Sequence, residues 1–257
     1  MKKTKANHQQ FESALEGVPS LLKTAYIQSV SVIKKILKGL GLLAQLDTLA
    51  KQKQSYHYLR SLLAIHQLDD MIMLDVPWWT YDAISEIENY IQRKKTKLSV
   101  FEYGSGASTI WLAKRADKVI SVEHDQSWYV HLNSKLSAFP QVQLSLIPPQ
   151  LNGTDNKYKS QKCPNVSFKT YVESIHSAKE QYDIIIIDGR ARSACLETCL
   201  AFLKPEGIII FDNSNRKRYQ PELVACGLEI VRFYGRVPGS PFKSETAILS
   251  RKSIQQK

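Results

Sequence analysis

From residue 98 onward, short apolar runs alternate with stretches of helical spacing. "LSVFEY" (98–103), "KVISVE" (118–123), "VQLSLI" (142–147), "DIIIID" (183–188) and "GIIIFD" (207–212) read as five successive strands. "STIWLAKRA", "QSWYVHLNSKL" and "SACLETCLAFL" carry apolar residues at helical spacing between them. This alternation predicts an open α/β sheet, mostly parallel, with helices on both faces. The unbroken isoleucines of the fourth and fifth strands suit central positions buried on both sides. Two further candidates, "LEIVRFYG" (228–235) and "ETAILSRK" (245–252), are joined by the turn-rich "RVPGSPFKS". That linker has no room for a helix, so the closing pair is expected to be antiparallel. A long polar stretch at 148–167 interrupts the pattern after the third strand. A loop of that length is either a functional lid or a disordered segment.

The N-terminal part is helical in flavour. Residues 21–46 place apolar side chains at near-helical spacing with Lys23, Lys34, Lys35 and Lys38 among them, while Gly39 and Gly41 weaken a single continuous helix. Such a helix either covers the domain core or a partner, or lies on an anionic membrane surface as a peripheral contact. Charge bears on this choice. The whole chain of 257 residues carries a formal net charge of +11, and residues 1–60 hold ten Lys/Arg against Glu12, Glu16 and Asp47. The division expected is a basic helical extension over 1–75 and a catalytic-type α/β domain over 76–257. The opening "MKKTKANHQQFESALEG" has no apolar segment of the kind a signal peptide needs. No run reaches the ~18 apolar residues of a membrane span, so a cytoplasmic location is expected. The four cysteines (163, 195, 199, 226) show neither a CxxC pair nor a spacing that joins them to histidines as metal ligands. Cys195 and Cys199 read as small apolar packing residues.

The chemistry starts at "VFEYGSGAST" (100–109). Gly104 and Gly106 follow a strand and precede a helix, so backbone N–H groups can approach a ligand there. Glu123, nineteen residues beyond Gly104, ends the next strand, where a carboxylate can accept hydrogen bonds from two ribose hydroxyls. A dinucleotide site would want a third glycine, but its position holds Thr109. Glu102 repels a pyrophosphate and suits a ligand with a cationic amino-acid end. Together with "VISVEHD", this segment resembles motif I and the following acidic position of class I S-adenosylmethionine-dependent methyltransferases. The resemblance runs from about residue 76 to 250. It implies a Rossmann-like, seven-stranded sheet with six parallel strands and the last inserted antiparallel. It also implies that Glu102, Gly104, Ser105 and Gly106 line the methionine end of S-adenosylmethionine, that Glu123 holds the ribose, and that His124 and Asp125 lie near the adenine. "PWWTYDAISEIENYI" (77–91) would then be a helix laid across the cofactor, with Trp78 and Trp79 either a substrate wall or core aromatics.

Acceptor chemistry belongs at the carboxyl ends of the strands. "IIIIDGRAR" offers Asp188, Arg190 and Arg192; "IIIFDNSNR" offers Asp212, Asn213, Ser214 and Arg216. Asp188, Asp212 and Asn213 resemble the Mg²⁺ ligands of catechol-type O-methyltransferases, although the family's lysine position three residues on holds Ala191. Asp188 could instead act directly as the base, with Asp212 and Asn213 capping the next segment. Similar "DGR-R" and "DNS-R" tips occur in bacterial methyltransferases associated with surface sugars or secondary metabolites. The chain lacks the D/N/S-PP-aromatic motif of base amino methyltransferases, and no cysteine stands near this tip for pyrimidine carbon methylation. Nucleic acid is therefore not the expected acceptor, despite the basic charge. Convergent arginines suit an acidic acceptor. The expected activity is methyl transfer to a hydroxyl of a small-molecule or carbohydrate-like acceptor. Its rivals are aminopropyl transfer on the same fold and a non-catalytic, cofactor-binding or membrane-associated scaffold.

Overall fold

A computed structural model of the protein describes residues 20–251, apart from 65–66, 152, 154 and 162. The basic opening "MKKTKANHQQFESALEG" lies outside the described residues. The N-terminal helices are α1 (Ser20–Gly39), α2 (Leu42–Ala50), α3 (Gln54–Ser61) and α4 (Leu68–Leu74). Next come α5 (Tyr81–Arg93), β1 (Ser99–Tyr103), α6 (Ala107–Ala113), β2 (Lys118–Glu123), α7 (Gln126–Asn133) and β3 (Val142–Leu146). Two short strands, β4 (Gln150–Leu151) and β5 (Val166–Ser167), pair antiparallel across the polar insertion. The chain closes with α8 (Lys169–Glu173), β6 (Tyr182–Ile187), α9 (Arg192–Cys199), β7 (Leu203–Asp212), α10 (Gln220–Ala225), β8 (Glu229–Arg236) and β9 (Lys243–Ser250).

Seven strands form one sheet in the order β3-β2-β1-β6-β7-β9-β8. β9 runs antiparallel to both β7 and β8, and the other six strands share one direction. The isoleucine runs sit at its centre. Because side chains alternate across a strand, Ile184 and Ile186 enter one core with Val100, Ile208 and Ile210, while Ile185 and Ile187 enter the other with Phe101, Ile209 and Phe211. Each such side chain, fully buried, contributes roughly 1.5–3 kcal/mol. α4, α5 and α6 cover the first face, and α8, α9 and α10 the second. Cys195 and Cys199 are wholly buried on that second face.

The predicted helix over 21–46 is broken where Gly41 adopts a left-handed φ of 71°. α1 packs one apolar face inward and leaves Val32, Ile33 and Ile36 exposed on another, beside exposed Lys35 and Lys38. Among the described residues no helix is long and apolar enough to cross a membrane. Arg60, 2% exposed, knits the helices together by bonding Asp47 of α2 at 2.5 Å and Asp70 of α4 at 2.9 Å. Leu68 and Met71 of α4 share the first core with Trp79 and Trp111. α3 reaches the β8–β9 loop: Tyr58 Oη donates to Ser240 O, and Gly239 N donates to Ser61 Oγ.

Candidate active site

The strand order reverses between β1 and β6, and there the two following loops touch. Gly104 has φ 95°, and a Cβ built on it would lie 2.7 Å from the Cα and N of Gly189. Only glycine fits so close an approach with that backbone. The carboxyl ends of β1, β2, β6 and β7 open into a cavity of about 460 Å³. Gly104, Ser105, Glu123, His124, Asp188, Asp212 and Asn213 all line it, so most of the expected site residues converge.

Glu102 does not line it. Its side chain lies wholly buried beneath the turn and accepts hydrogen bonds from Ser108 Oγ at 2.5 Å, Thr109 Oγ1 at 2.6 Å and Ser121 Oγ at 2.6 Å. Burial, offset in part by these hydroxyls, pushes its carboxyl up to about 7. Thr109 Oγ1 also accepts from Gly106 N, so Glu102 and Thr109 wire the turn to the start of α6. Gly106 likewise stays off the cavity wall, with an extended φ of 176°. A threonine where a dinucleotide fold has its third glycine thus has a positive role: it caps the turn.

Glu123 faces the cavity with every oxygen engaged. Oε1 accepts from the N–H groups of His124 and Asp125, and Oε2 from Ser105 N and Oγ. Burial alone would raise its carboxyl, but His124, the Asp125 N–H and Ser105 more than offset this and hold it below the usual carboxylate range. Arg190 Nε donates to His124 Nε2, 3.1 Å away. Asp125 instead caps α7 by accepting from Trp128 N, and it is absent from the cavity wall. The two tryptophans divide: Trp78 lines the cavity, and Trp79 is buried edge-on against Trp111. α5 itself lies on the sheet beside β8 and β9 instead of across the cavity, with Thr80 bonded to Thr246 and Phe233.

At the β6 and β7 tips a buried arginine takes the central position. Arg192 Nη2 lies 2.7 Å from Asp188 Oδ1, Nη1 lies 3.5 Å from Asp212 Oδ2, and Nη1 also donates to Asp212 O. Asp212 Oδ1 accepts from Thr246 Oγ1, and Asn213 Nδ2 donates to Ser244 Oγ. A divalent cation would need these oxygens turned to one point, but a guanidinium already stands between the carboxylates, so the residues present do not fit Mg²⁺. Among the described residues no group of three His, Cys, Asp or Glu side chains could hold a metal. Burial, and then the neighbouring Asp212 carboxylate, push Asp188 well above its ordinary range despite Arg192. Ala191 and Asn213 hold left-handed φ angles of 46° and 54° at these tips, a local strain that clusters at functional sites.

Several cavity residues escape a reading of the strand tips. Trp128 lines the cavity beside the glycine turn, its Nε1 donating to Ser105 O at 2.7 Å. The polar insertion supplies Asn156, Lys157, Lys159, Ser160 and Gln161, and the β8–β9 loop supplies Val237, Gly239 and Ser240. No sequence motif marks them. Composition does mark the insertion as polar and basic, but only the fold shows which wall it forms.

Residues 101–214 match a family model described as a methyltransferase domain. No curated protein sequence matches the chain. Among solved structures, it is similar to an rRNA methylase from Streptococcus thermophilus, at 12% identity and a TM-score of 0.45, covering 65% of this chain and 92% of that one. A methyltransferase-like protein from Silicibacter pomeroyi gives 19% identity, a TM-score of 0.44, and coverage of 66% and 88%. A protein of Streptococcus mutans assigned as a methyltransferase and solved with SAH gives 11%, 0.45, and coverage of 65% and 96%. Only the first is named by what it acts on, and none bears on the acceptor of this chain. The matched segment runs from β1 to the β7 tip and includes Gly104, Ser105, Glu123, Asp188 and Asp212 of the cavity wall. Over residues 101–214 the chain is thus similar to a methyltransferase domain, and that segment carries the central strands of the seven-stranded sheet.

Proposed function

We propose that the protein binds S-adenosylmethionine and transfers its methyl group to a hydroxyl of a small or carbohydrate-like acceptor. The observation that carries this reading is the cradle formed by Gly104, Ser105 and Glu123, with a cavity large enough for an adenosyl ligand and an acceptor beside it. Bound S-adenosylmethionine supplies a methyl group already activated on a sulfonium. The chain's own residues then have three tasks. Glu123 binds the ribose. Its carboxylate meets three backbone N–H groups, the His124 ring and Ser105 Oγ, and a ribose hydroxyl takes the place of the small, rotatable Ser105 Oγ. Trp128 braces the turn through Ser105 O and closes the wall against water. Asp188, on the cavity wall and held in place by Arg192, takes the proton of the acceptor hydroxyl as the carbon–oxygen bond forms.

The guanidinium groups around Asp188 disfavour a polyamine cation, and hence aminopropyl transfer. The exposed Val32, Ile33 and Ile36 stripe of α1, with Lys35 and Lys38, is the surface through which the same protein would touch an anionic membrane. Co-sedimentation of the Ile33→Glu/Ile36→Glu variant with anionic vesicles tests that contact: equal binding by variant and wild type would reject it. Calorimetric titration with S-adenosylmethionine tests the main reading. Saturable binding is expected, weakened at least tenfold in Glu123→Gln through loss of a charge-assisted hydrogen bond worth about 1.5–3 kcal/mol. No binding by the folded wild type would reject it.

A further inference from the structure

Away from the cofactor cradle, the cavity changes character. Its outer wall carries Lys157, Lys159, Arg190, Arg216 and Arg218 against only Glu197 and Glu222. These cations come from three separate places: the polar insertion, the β6 tip and the segment after β7. The insertion is docked at both sides. Lys157 Nζ pairs with Glu197 of α9 at 2.7 Å, and Arg218 Nη1 donates to Gln161 Oε1. It is a packed wall, and it turns Lys159, Ser160 and Gln161 toward the arginines that follow β7. Tyr219 reports the resulting potential. Burial alone would raise its phenol, yet the guanidinium groups of Arg192, Arg218 and Arg216 bring it below its ordinary value. Arg192 is engaged by Asp188 and Asp212, and Arg216, Arg218 and Lys159 line the outer cavity beyond it.

We infer that the acceptor is a hydroxylated anion, whose carboxylate or phosphate is held by Arg216, Arg218 and Lys159 while its hydroxyl reaches Asp188. This rests on the methyl-transfer reading and adds the substrate class to it. Arginine forks match the planar or tetrahedral oxyanion with paired N–H donors, and the neutral donors Ser160 and Gln161 stand beside them. The same cations could meet a nucleic-acid phosphate. A small molecule is favoured because they line a walled cavity of about 460 Å³, whereas a nucleic-acid site spreads its charge along an open face. In transfer, the acceptor oxygen gains the methyl group, the sulfonium becomes a neutral thioether, and the hydroxyl proton passes to Asp188.

Two measurements on the full-length protein test this. In the first, inorganic phosphate and acetate are titrated calorimetrically in chloride buffer into the wild type and into Arg216→Gln/Arg218→Gln, with S-adenosylmethionine titrated into both as a control. At least one of the two anions is expected to bind the wild type saturably and the double variant at least tenfold more weakly, with cofactor affinity unchanged within twofold. Equal anion binding by both proteins, or none by either, overturns the inference. Anion discrimination without any cofactor binding would leave the subsite standing and reject the methyl-transfer reading instead. In the second, labelled methyl transfer is compared across matched pairs, a hydroxybenzoate against phenol and a hexose phosphate against the hexose, with single-stranded RNA as a further arm. Incorporation into the charged members supports the inference. Equal incorporation into the neutral members, or incorporation into RNA alone, overturns it.

Discussion

Gly104→Ala is the sharpest probe of the site's construction, because it asks whether the β1 and β6 loops really meet. The added Cβ would stand 2.7 Å from the Gly189 backbone and 2.9 Å from the Asp188 carbonyl carbon, at a φ of 95°. None of these atoms belongs to a flexible side chain that could yield. Placing a non-glycine residue in left-handed backbone costs roughly 1–2 kcal/mol, and overpacking against rigid neighbours about 1–3 kcal/mol more. The sum, about 2–5 kcal/mol, corresponds to a fall in melting temperature of roughly 4–20 °C for a domain of this size. Thermal melts followed by circular dichroism would measure it, with S-adenosylmethionine titration on the folded variant. Relief of the clash would push Gly189 and Asp188 apart from the turn, so cofactor affinity should fall as well. Gly39→Ala is the control: its Cβ meets nothing within 4 Å, and alanine there should be neutral or stabilising by up to about 1 kcal/mol. A Gly104→Ala protein melting within about 2 °C of wild type, a shift under 1 kcal/mol, would refute the close approach.

Glu102→Gln should change how stability depends on pH. The native carboxyl, raised from 4.5 to about 7, keeps its proton longer than the unfolded one, so wild-type stability falls as pH rises through that window, by roughly 3 kcal/mol. The glutamine variant lacks this loss, and urea midpoints at pH 5 and pH 8 should diverge accordingly; parallel profiles would reject the assignment. Arg192→Met leaves Asp188 and Asp212 buried without their cation and should cost about 3–5 kcal/mol in urea unfolding. Unchanged stability would show that the buried cluster is not held as described. Because Arg192 stands where a dication would bind, dialysis against a chelator should leave cofactor affinity unchanged, and Mg²⁺ titration should give no saturable heat. A saturable magnesium signal lost in Asp212→Ala would contradict that reasoning.

The strands and the glycine turn were legible because their causes are local. Five parallel strands and the closing antiparallel pair follow from residue type, period and linker length, and each boundary falls within four residues of the expected one. Period alone likewise marks α6 and α7, and Gly41 breaks the N-terminal helix as its backbone freedom suggests. Glu123, His124 and Asp188 could be placed on the cavity because they end strands, and strand ends converge wherever a parallel sheet reverses its order.

What a side chain does at the end of its strand is a different matter. Glu102 and Glu123 are both acidic, both near the carboxyl ends of neighbouring strands, and both nearly unexposed. Both share one face of the sheet, because Glu102 pairs with Ser121 and Glu123 stands two residues further on. Glu102 points beneath the turn into three hydroxyls, while Glu123 at the very end of β2 reaches the cavity. Asp188 and Asp212 are separated by 24 residues, and only the β6–β7 register sets them on either side of Arg192. The polar insertion shows the same limit: its composition is uniform, and its role as a wall comes from ion pairs and hydrogen bonds to α9 and to Arg218. Sequence by itself determined the strands and the glycine turn, which follow from local period and backbone geometry. Tertiary structure alone decided which charges face one another, because that depends on contacts between segments far apart in the chain.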